Sequence, residues 1–276
     1  MNCTLIKKSC FGLLAIILST SCADLTENLT GQPTVDKFFQ TLTDFNSYIT
    51  GAYTPLILLY GTDMPYAASA GAEDVNTPVI RWKGFEQVNI NTVGNPDEVT
   101  DELWNSYYTS ISACNTLIKI IGENTKLSPE ELYPIGGEAH FLRAFNYFQL
   151  VRWFGEVPLL TEANAAKEPQ ASVARIYEQI VSDLKNAELT LPLSQDDPSR
   201  PSRWAAKALL AKVYLTMAGF PLNETSCYAL ARDKANEVIS EKVYTLEKVY
   251  SQLWLWSNRK INSEFIFALY ASSDNA

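Results

Sequence analysis

Histidine is nearly absent from this chain, since His140 is the only one among 276 residues. Zinc sites built from several histidines are therefore excluded, and a Ser-His-Asp triad would have to use this one residue, which lies in a helical pattern typical of a packed core. The sequence also lacks a P-loop, a G-x-S-x-G turn and a dinucleotide-binding glycine motif. We predict a binding protein with no catalytic residues, no metal site and no cofactor.

Paired acids are the one feature that would suit hydrolysis. Neighbouring carboxylates occur at Glu73-Asp74, Asp97-Glu98 and Asp101-Glu102. Glycosidases use two carboxyl groups that face each other across a sugar. Acids adjacent in a loop or at a helix start are more often solvated or cap the helix, so a secreted hydrolase is the weakest functional hypothesis.

Basic residues are scarce relative to acidic ones. The chain has 22 Lys and Arg against 31 Asp and Glu. Without residues 1–21, which contain Lys7 and Lys8, 20 basic residues against 31 acidic ones give a net charge of −11. An acidic body repels phosphate backbones, so we predict no nucleic-acid partner. The hydrophobic content of 47% indicates a folded chain.

No apolar run is long enough to cross a bilayer. Residues 11–18 form a short run, about half of the roughly 20 residues that a membrane-spanning helix needs. This run follows the cationic Lys7-Lys8 and precedes Ser19-Thr20-Ser21-Cys22, which is the order of a secretory signal peptide. We predict that residues 1–21 are a lipoprotein signal peptide.

Cys22 directly follows the small residues, as the acceptor cysteine of a lipoprotein does. Stable anchoring needs more than one acyl chain, and an N-terminal cysteine carrying several chains such as palmitate would meet this condition. Residues 22–33 have no periodicity and are predicted to form a tether. Ser19 stands where such signals usually have an aliphatic residue, so a plain signal peptide is the alternative.

Two cysteines, Cys114 and Cys227, remain in the body after cleavage. Both lie in helical patterns, where a free cysteine commonly behaves as a small buried hydrophobe. They could also pair in an oxidising compartment, and the sequence leaves this alternative open.

Apolar residues recur at helical spacing along most of the body. The predicted helices cover residues 34–56, 100–121, 136–154, 172–191, 201–219 and 228–240. Pro55 is predicted to bend or end the first helix, and Gly155 is predicted to cap the helix that ends at residue 154. The Ser128-Pro129-Glu130-Glu131 capping box predicts a further helix start, with a kink at Pro134. The apolar residues 264–269 fit a short strand.

The helix over residues 136–154 carries a polar residue at every third position from His140 to Arg152. Three residues turn an α-helix by about 300°, so these polar residues spiral around the helix and leave no single polar face. The helix must therefore pack on several sides, with Phe141, Phe145 and Phe148 in the core. Together, these patterns predict an all-α fold, an irregular stack of helical hairpins of the tetratricopeptide-repeat type with long loops and a short C-terminal strand.

Residues 61–100 are the longest stretch without periodicity. Loops of this length in a compact domain are often functional. Tyr66 and Trp82 can stack on the C–H face of a sugar, while Asp74 and Asn76 can pair with its hydroxyls. We predict these four residues as ligand contacts. The alternative for Trp82 is that it holds its loop against the helices.

The order of motifs resembles that of the SusD/RagB family of outer-membrane nutrient-binding lipoproteins. The matching pieces are Ser21-Cys22-Ala23-Asp24-Leu25, Gly51-Ala52-Tyr53, Asn115-Thr116-Leu117-Ile118, Gly137-Glu138-Ala139-His140-Phe141-Leu142-Arg143-Ala144, Phe154-Gly155-Glu156-Val157-Pro158-Leu159, Ala208-Leu209-Leu210-Ala211-Lys212-Val213-Tyr214-Leu215 and Glu264-Phe265-Ile266-Phe267. The resemblance covers residues 20–270.

This resemblance implies a lipid-anchored protein on the surface of the outer membrane. It implies that the protein binds a glycan or a related nutrient and delivers it to a SusC-like TonB-dependent transporter. Family members are longer, so residues 34–276 would be a truncated N-terminal helical domain of the family. The runner-up hypothesis is a helical-repeat lipoprotein that binds only protein partners.

Overall fold

The computed structural model describes residues 35–63, 97–163, 168–259 and 262–269. The main helices are α1 (Leu42–Leu58), α2 (Asp97–Glu123), α3 (Pro129–Phe154), α4 (Val173–Thr190), α5 (Arg203–Ala218) and α6 (Cys227–Ser240). Shorter elements are a helical turn at Val35–Phe38, a π-helical turn at Leu59–Asp63, the paired antiparallel strands β1 (Val157–Pro158) and β2 (Gln170–Ala171), and 3-10 turns at Tyr250–Trp254 and Trp256–Asn258.

Contacts divide the chain into two compact units, one ending at Phe39 and one beginning at Gln40. The turn at Val35–Phe38 is the described element of the first unit. All six main helices belong to the second unit. None of the described helices combines the length and apolar character that crossing a membrane requires.

Side-chain caps determine where the helices start. Ser128 and Glu131 form the predicted reciprocal capping box at the start of α3. Ser172 and Ser202 each accept a hydrogen bond from a backbone N–H in the first turn of α4 and α5. These caps satisfy amide groups that have no partner inside the helix, so each helix begins at a defined residue. Gly155, with φ of 71°, ends α3 as the sequence predicts.

The first predicted helix is interrupted. It was expected to run from Thr34, but α1 begins at Leu42 because Thr41 forms a second capping box with Asp44. The Asp44 carboxylate accepts from the Thr41 backbone N–H at 2.7 Å. A cap of this kind requires extended backbone at the capping residue, which is incompatible with a continuous helix.

Two prolines lie inside helices without ending them there. Pro134 lies in the second turn of α3, which runs as one helix from Pro129 to Phe154. Pro55 lies in α1, which continues for three residues before the π-helical turn begins at Leu59.

Each helix packs mainly against its neighbours in the sequence, from α1 on α2 through to α5 on α6. Consecutive packing of helices is what a stack of helical hairpins produces, and the predicted all-α stack is confirmed. Helix α3 also contacts α1 and α5. Fifteen of its 26 residues are buried, so it is the central helix of the stack.

The aromatic residues of α3 are not equally enclosed. Phe141 and Phe148 are fully buried, as predicted, whereas Phe145 is only half-buried. The Phe145 ring lies 6.0 Å from that of Tyr60 and 6.3 Å from that of Phe267. The prediction of a core position is therefore confirmed for two of the three phenylalanines.

The strand predicted over residues 264–269 does not form. This segment makes bends and irregular backbone, with one hydrogen bond from the Ala268 N–H to the Pro198 carbonyl at 3.0 Å. Phe267 packs its ring edge-on against Phe141 at 5.0 Å. The apolar run therefore contacts the α3 core through side chains, without the continuous backbone ladder that defines a strand.

Cys114 and Cys227 are both free and buried, which resolves the alternative that the sequence left open. Burial raises the pKa of the Cys114 thiol to about 12. A thiol with this pKa stays protonated near neutral pH, and it is the thiolate that reacts with oxidants and metals. Cys114 is thus a core residue of α2.

Two adjacent glycines in α3 provide a test of the packing between α3 and α4. A Cβ atom at Gly137 would lie 2.5 Å from Thr190 Oγ1 and 3.1 Å from the Leu191 backbone nitrogen, whereas one at Gly136 would meet only Ile121 Cδ1 at 3.7 Å. We expect Gly137→Ala to lower the free energy of unfolding because the end of α4 must move away. Gly136→Ala should raise it by up to about 1 kcal/mol, the helix-propensity gain of alanine over glycine. Urea unfolding of both variants checks this, and equal effects would contradict the close approach at Gly137.

Candidate functional site: two buried ion-pair clusters and an adjoining cavity

The first cluster joins α3 to α4 through the Asp183 carboxylate. Arg143 donates to it through two nitrogens, Nε to Oδ2 at 2.8 Å and Nη2 to Oδ1 at 2.6 Å. His140 Nδ1 donates to Oδ1 at 2.7 Å, one helical turn earlier. Asp183 holds the ring of His140 in place, which is consistent with the structural role predicted for this residue.

Arg143 also reaches two further elements. Its Nη1 donates to the Asn115 side-chain oxygen of α2 at 2.8 Å and to the Thr161 carbonyl at 3.1 Å. The Asn115 amide in turn donates to the Leu160 carbonyl at 2.9 Å. One guanidinium group therefore connects α2, α3, α4 and the segment after β1.

Tyrosine hydroxyls hold the same segment against the helices. Tyr147 OH donates to the Leu160 carbonyl at 2.9 Å and accepts from the Leu160 N–H at 2.7 Å. Tyr108 OH donates to the Pro158 carbonyl at 2.7 Å. The backbone from Pro158 to Thr161 is thus fixed by side chains of α2 and α3, in place of a regular sheet.

The charges of the first cluster balance each other. Burial alone would raise the pKa of Asp183, but the hydrogen bonds from His140 and Arg143 and the charge of Arg143 outweigh it and hold the pKa below its ordinary value. The same ion pair raises the pKa of Arg143 despite its burial. Asp183 is therefore an anion and a hydrogen-bond acceptor at neutral pH.

The second cluster joins α3 to α1 and to the connection between α4 and α5. Glu138 Oε1 lies 2.6 Å from Arg200 Nε and accepts a hydrogen bond from Tyr53 OH. Arg200 also donates to Thr50 Oγ1 and to Asn46 Oδ1, both at 3.2 Å. Arg200 thus ties α1 to α3 from a position far along the chain.

Burial controls the ionisation of the second cluster. It raises the pKa of Glu138, an effect that the charge of Arg200 opposes. It also raises the pKa of Tyr53 well above its ordinary value, and the negative charge of Glu138 adds to this shift. Tyr53 therefore keeps its proton and remains a hydrogen-bond donor to Glu138.

A cavity of about 130 Å³ is lined in part by Arg200. Its walls come from the connection between α4 and α5, from Tyr244 after α6, and from residues 262–266. The polar lining side chains are Gln195, Asp196, Arg200, Ser202, Tyr244 and Asn262, and the apolar ones are Pro198, Phe265 and Ile266. Asn262 Nδ2 is buried and has no hydrogen-bond partner among the described residues.

Exposed aromatic rings form a second surface feature, in the 3-10 turns after α6. Tyr250 and Trp254 are 72% and 70% exposed, and their ring centroids lie 6.0 Å apart. The guanidinium carbon of Arg259 lies 3.9 Å from the centroid of the Trp256 ring. These aromatic residues are not among the apolar residues at helical spacing from which the core is predicted.

The structure does not test the residues that the sequence predicts as contacts. Tyr66, Asp74, Asn76 and Trp82 lie outside the described residues, as does Cys22. Within the described ranges, no group of three or more His, Cys, Asp and Glu side chains is arranged to hold a metal ion. The described part of the chain therefore offers the two clusters and the cavity as its candidate site.

Sequence reasoning missed the cavity residues because no motif contains them. Gln195, Tyr244 and Asn262 come from three connections separated by helices, and each lies among polar residues typical of solvated loops. The only available signal was the spiral of polar positions on α3, which includes Arg143 but not Glu138 and indicated that the helix packs on several sides. It gave no indication of which residues would be the partners of Arg143 or Glu138.

The fold and its buried clusters define a helical-hairpin scaffold protein. A family model described as "Starch-binding associating with outer membrane", SusD-like, matches residues 29–215. Since this match covers more than half of the chain, the chain belongs to the SusD-like family, and the predicted resemblance is confirmed.

Individual relatives agree with this assignment. SusD-like protein P2 of Formosa agariphila is 29% identical over 225 residues, which cover 75% of this chain and 43% of the relative. A SusD superfamily protein from Parabacteroides distasonis has a solved structure with a TM-score of 0.71 and 29% identity, covering 84% of this chain and 51% of the other. A structure described as a laminarin-binding SusD-like protein has a TM-score of 0.69 and 28% identity, with 82% and 50% covered. The chain spans about half the length of these relatives.

The first cluster predicts how stability depends on pH. We expect Asp183→Asn to lower the free energy of unfolding by about 3–5 kcal/mol at pH 7, because it leaves the buried Arg143 charge unpaired. The folded-state pKa of Asp183 lies below its ordinary value of 3.8. The stabilisation is therefore present above pH 3.8 and is lost as the pH falls through the folded-state pKa, where parent and variant should converge.

Chemical denaturation from pH 3 to 7 measures this difference. Asp233→Asn is the matched control, since this exposed carboxylate pairs with the exposed Arg232 and its loss should change stability by less than about 1 kcal/mol. A gap between parent and Asp183→Asn that stays constant across this pH range would contradict the role assigned to the carboxylate.

Proposed function

We propose that this chain is the glycan-binding part of an outer-membrane lipoprotein that delivers its ligand to a SusC-like TonB-dependent transporter. The observation that carries the proposal is the match of residues 29–215 to a family described as starch-binding and associated with the outer membrane. Residues 1–21 are removed, Cys22 carries the lipid, residues 22–33 form the tether, and the body from residue 34 corresponds to the N-terminal helical domain of the longer relatives.

The ligand is a neutral glycan or a related nutrient. The description of one structural neighbour as laminarin-binding supports a sugar ligand. The excess of acidic residues in the body disfavours polyanionic ligands, since like charges repel. The protein acts by binding, without catalysis.

The proposed contacts lie in the segment between α1 and α2. Tyr66 and Trp82 provide aromatic rings, and Asp74 and Asn76 provide hydrogen-bonding groups. Both flanking helices pack on α3 and on each other. Binding residues commonly lie in loops that a rigid scaffold holds in position, and the packing of the two flanking helices supports such a role for the segment between them.

Lipid attachment at Cys22 is directly testable. We expect the N-terminus of the protein from the membrane fraction to be an acylated cysteine, which mass spectrometry of the N-terminal peptide would identify. Cys22→Ala should move the protein out of the membrane fraction, whereas Cys227→Ala, which removes a buried cysteine of the body, should leave it there. Retention of the Cys22→Ala protein in membranes would contradict lipid anchoring.

Trp82 tests the proposed glycan contact. If Trp82 stacks on a sugar, Trp82→Ala should weaken binding by about 1–3 kcal/mol, as for an anchor residue, with little change in the thermal midpoint. If it holds its loop instead, the midpoint should fall. Calorimetric titration with a glycan panel that includes laminarin oligosaccharides measures affinity, and thermal unfolding of the same samples measures stability.

Trp254→Ala is the matched control, because it removes an exposed tryptophan from a different part of the chain. Unchanged affinity of the Trp82→Ala protein for a glycan that the parent binds would exclude Trp82 from the site. Release of shorter sugars by the parent would identify a hydrolase, and failure to bind any glycan would overturn the proposed function.

A further inference from the structure

Exposed apolar side chains concentrate in the stretch that follows α6. Seven of the seventeen large apolar side chains that are exposed in the described part of the chain lie within the fourteen residues 243–256, which we call the aromatic segment. Leu246, Tyr250 and Trp254 are the most exposed of the seven, each by at least 70%. The other four are Val243, Val249, Leu255 and Trp256.

Hydrogen bonds give the aromatic segment a defined shape. It contains one 3-10 turn and the start of a second. The Asn258 side-chain amide donates to the Gln252 side-chain oxygen at 2.8 Å, which connects the two turns. The Glu247 N–H donates to the Glu264 carboxylate at 2.8 Å. The exposed rings are thus presented from a backbone that is held at more than one point.

The apolar surface of the aromatic segment is large for a protein surface in water. Burying one aromatic side chain removes roughly 150–250 Å² from water. Three aromatic and four aliphatic side chains, all of them exposed, therefore present an area on the order of several hundred Å². The largest apolar patch of a typical monomer is about 300–600 Å², and patches of this size mark contacts with another protein or with a membrane.

The aromatic segment does not share the negative charge of the body. Residues 241–259, which span it, carry the basic side chains of Lys242, Lys248 and Arg259 against the acidic ones of Glu241 and Glu247, a net charge of +1. The chain without residues 1–21 carries −11. A bilayer with anionic head groups repels an acidic body, whereas it attracts basic side chains. This surface can therefore approach such a bilayer without repulsion.

The side-chain types match the interface of a bilayer better than they match a protein partner. Trp and Tyr are enriched at the head-group level, because their rings are apolar and their N–H or O–H groups are polar. Leu and Val can enter the acyl region, while Lys and Arg keep their charged groups at the phosphates. Interfaces between proteins are depleted of Lys and Glu, and both residue types lie in and beside this segment.

We propose that the aromatic segment inserts into the head-group region of an anionic bilayer. The proposal rests on the proposed location of the protein at the outer membrane, and it adds a contact of the helical body to the lipid at Cys22. A tethered body has a high local concentration at the membrane, so a weak contact suffices to fix which side of the body faces the bilayer. Without the lipid the contact is reversible, so washing removes the Cys22→Ala protein from the membrane fraction.

The experiment uses the mature chain with Cys22→Ala, which has no acyl group at this position, so that the contact of the body alone is measured. Vesicles consist of phosphatidylglycerol and phosphatidylcholine in equal parts, or of phosphatidylcholine alone, and flotation measures binding. Lipids brominated in the acyl chains quench the emission of an inserted tryptophan. We expect saturable binding and quenching with the anionic vesicles, and at least fivefold weaker binding to phosphatidylcholine alone.

A double variant tests the aromatic segment itself. Tyr250→Ser combined with Trp254→Ser should weaken binding to the anionic vesicles at least tenfold, with an unchanged thermal midpoint because neither ring is buried. Leu189→Ser combined with Phe220→Ser is the matched control. It removes two side chains that are 77% and 88% exposed outside the aromatic segment, and it should leave binding unaltered.

Several results would overturn the proposal. The parent could fail to bind anionic vesicles, bind both kinds of vesicle equally, or bind no better than the Tyr250→Ser, Trp254→Ser variant. Light scattering on the same samples tests a second copy of the chain as the occupant. A dimer of the parent that this variant abolishes, without vesicle binding, would assign the surface to self-association and overturn the membrane contact.

The outcomes also separate this proposal from the proposed function. An acylated Cys22 in cells, together with no vesicle binding by the protein that lacks the acyl group, would overturn the membrane contact and leave the proposed function standing. Vesicle binding through the aromatic segment, in a protein whose Cys22 is not acylated in cells, would support the contact and overturn the lipid anchor.

Discussion

The arrangement of the helices depends on the bidentate ion pair between Arg143 and Asp183. Two charges removed from water are tolerated only when their geometry is good and their remaining hydrogen-bonding groups are satisfied. Here the carboxylate accepts from two arginine nitrogens and from His140, and the third arginine nitrogen reaches Asn115. These requirements fix the positions of α2, α3 and α4 relative to one another, because moving any one of these helices would leave a buried charge or amide without its partner.

The fixed arrangement of the helices suits the ligand binding that we propose for this protein. The ion-pair clusters neutralise their own charges, so they hold the helices without presenting a charge to a ligand. Hydrogen bonds such as those between Tyr147 and Leu160 attach the segment after β1 to this scaffold. A scaffold that does not rearrange leaves less conformational entropy to lose on binding, so modest contacts to a sugar can suffice.

The helices were predictable from the sequence, whereas the site was only partly so. Capping residues such as Ser128 and Ser172 act on backbone groups within three residues, so the sequence alone determined where those helices begin. The polar spiral on α3 also showed that polar side chains would be buried. The partners of Arg143 lie 28 and 40 residues away, and periodicity contains no information at that distance. The segment at residues 264–269 was predicted to be a strand but has irregular backbone. An apolar run indicates that side chains contact the core, and it does not determine the backbone hydrogen bonds that define a strand.

The position of Arg200 in the chain has a kinetic consequence. Glu138 and Tyr53 come from α3 and α1, but the cation that neutralises them follows α4, 150 residues after Thr50. Until the polypeptide has been synthesised or translocated past Arg200, close packing of α1 on α3 would enclose a carboxylate without its counter-ion, which is costly in an apolar interior. Closure of the first helices is therefore coupled to the arrival of the connection between α4 and α5. Helix pairs of a regular repeat can fold one after another from the N-terminus, whereas in this stack the packing of the first helix on the third depends on a residue that follows the fourth helix.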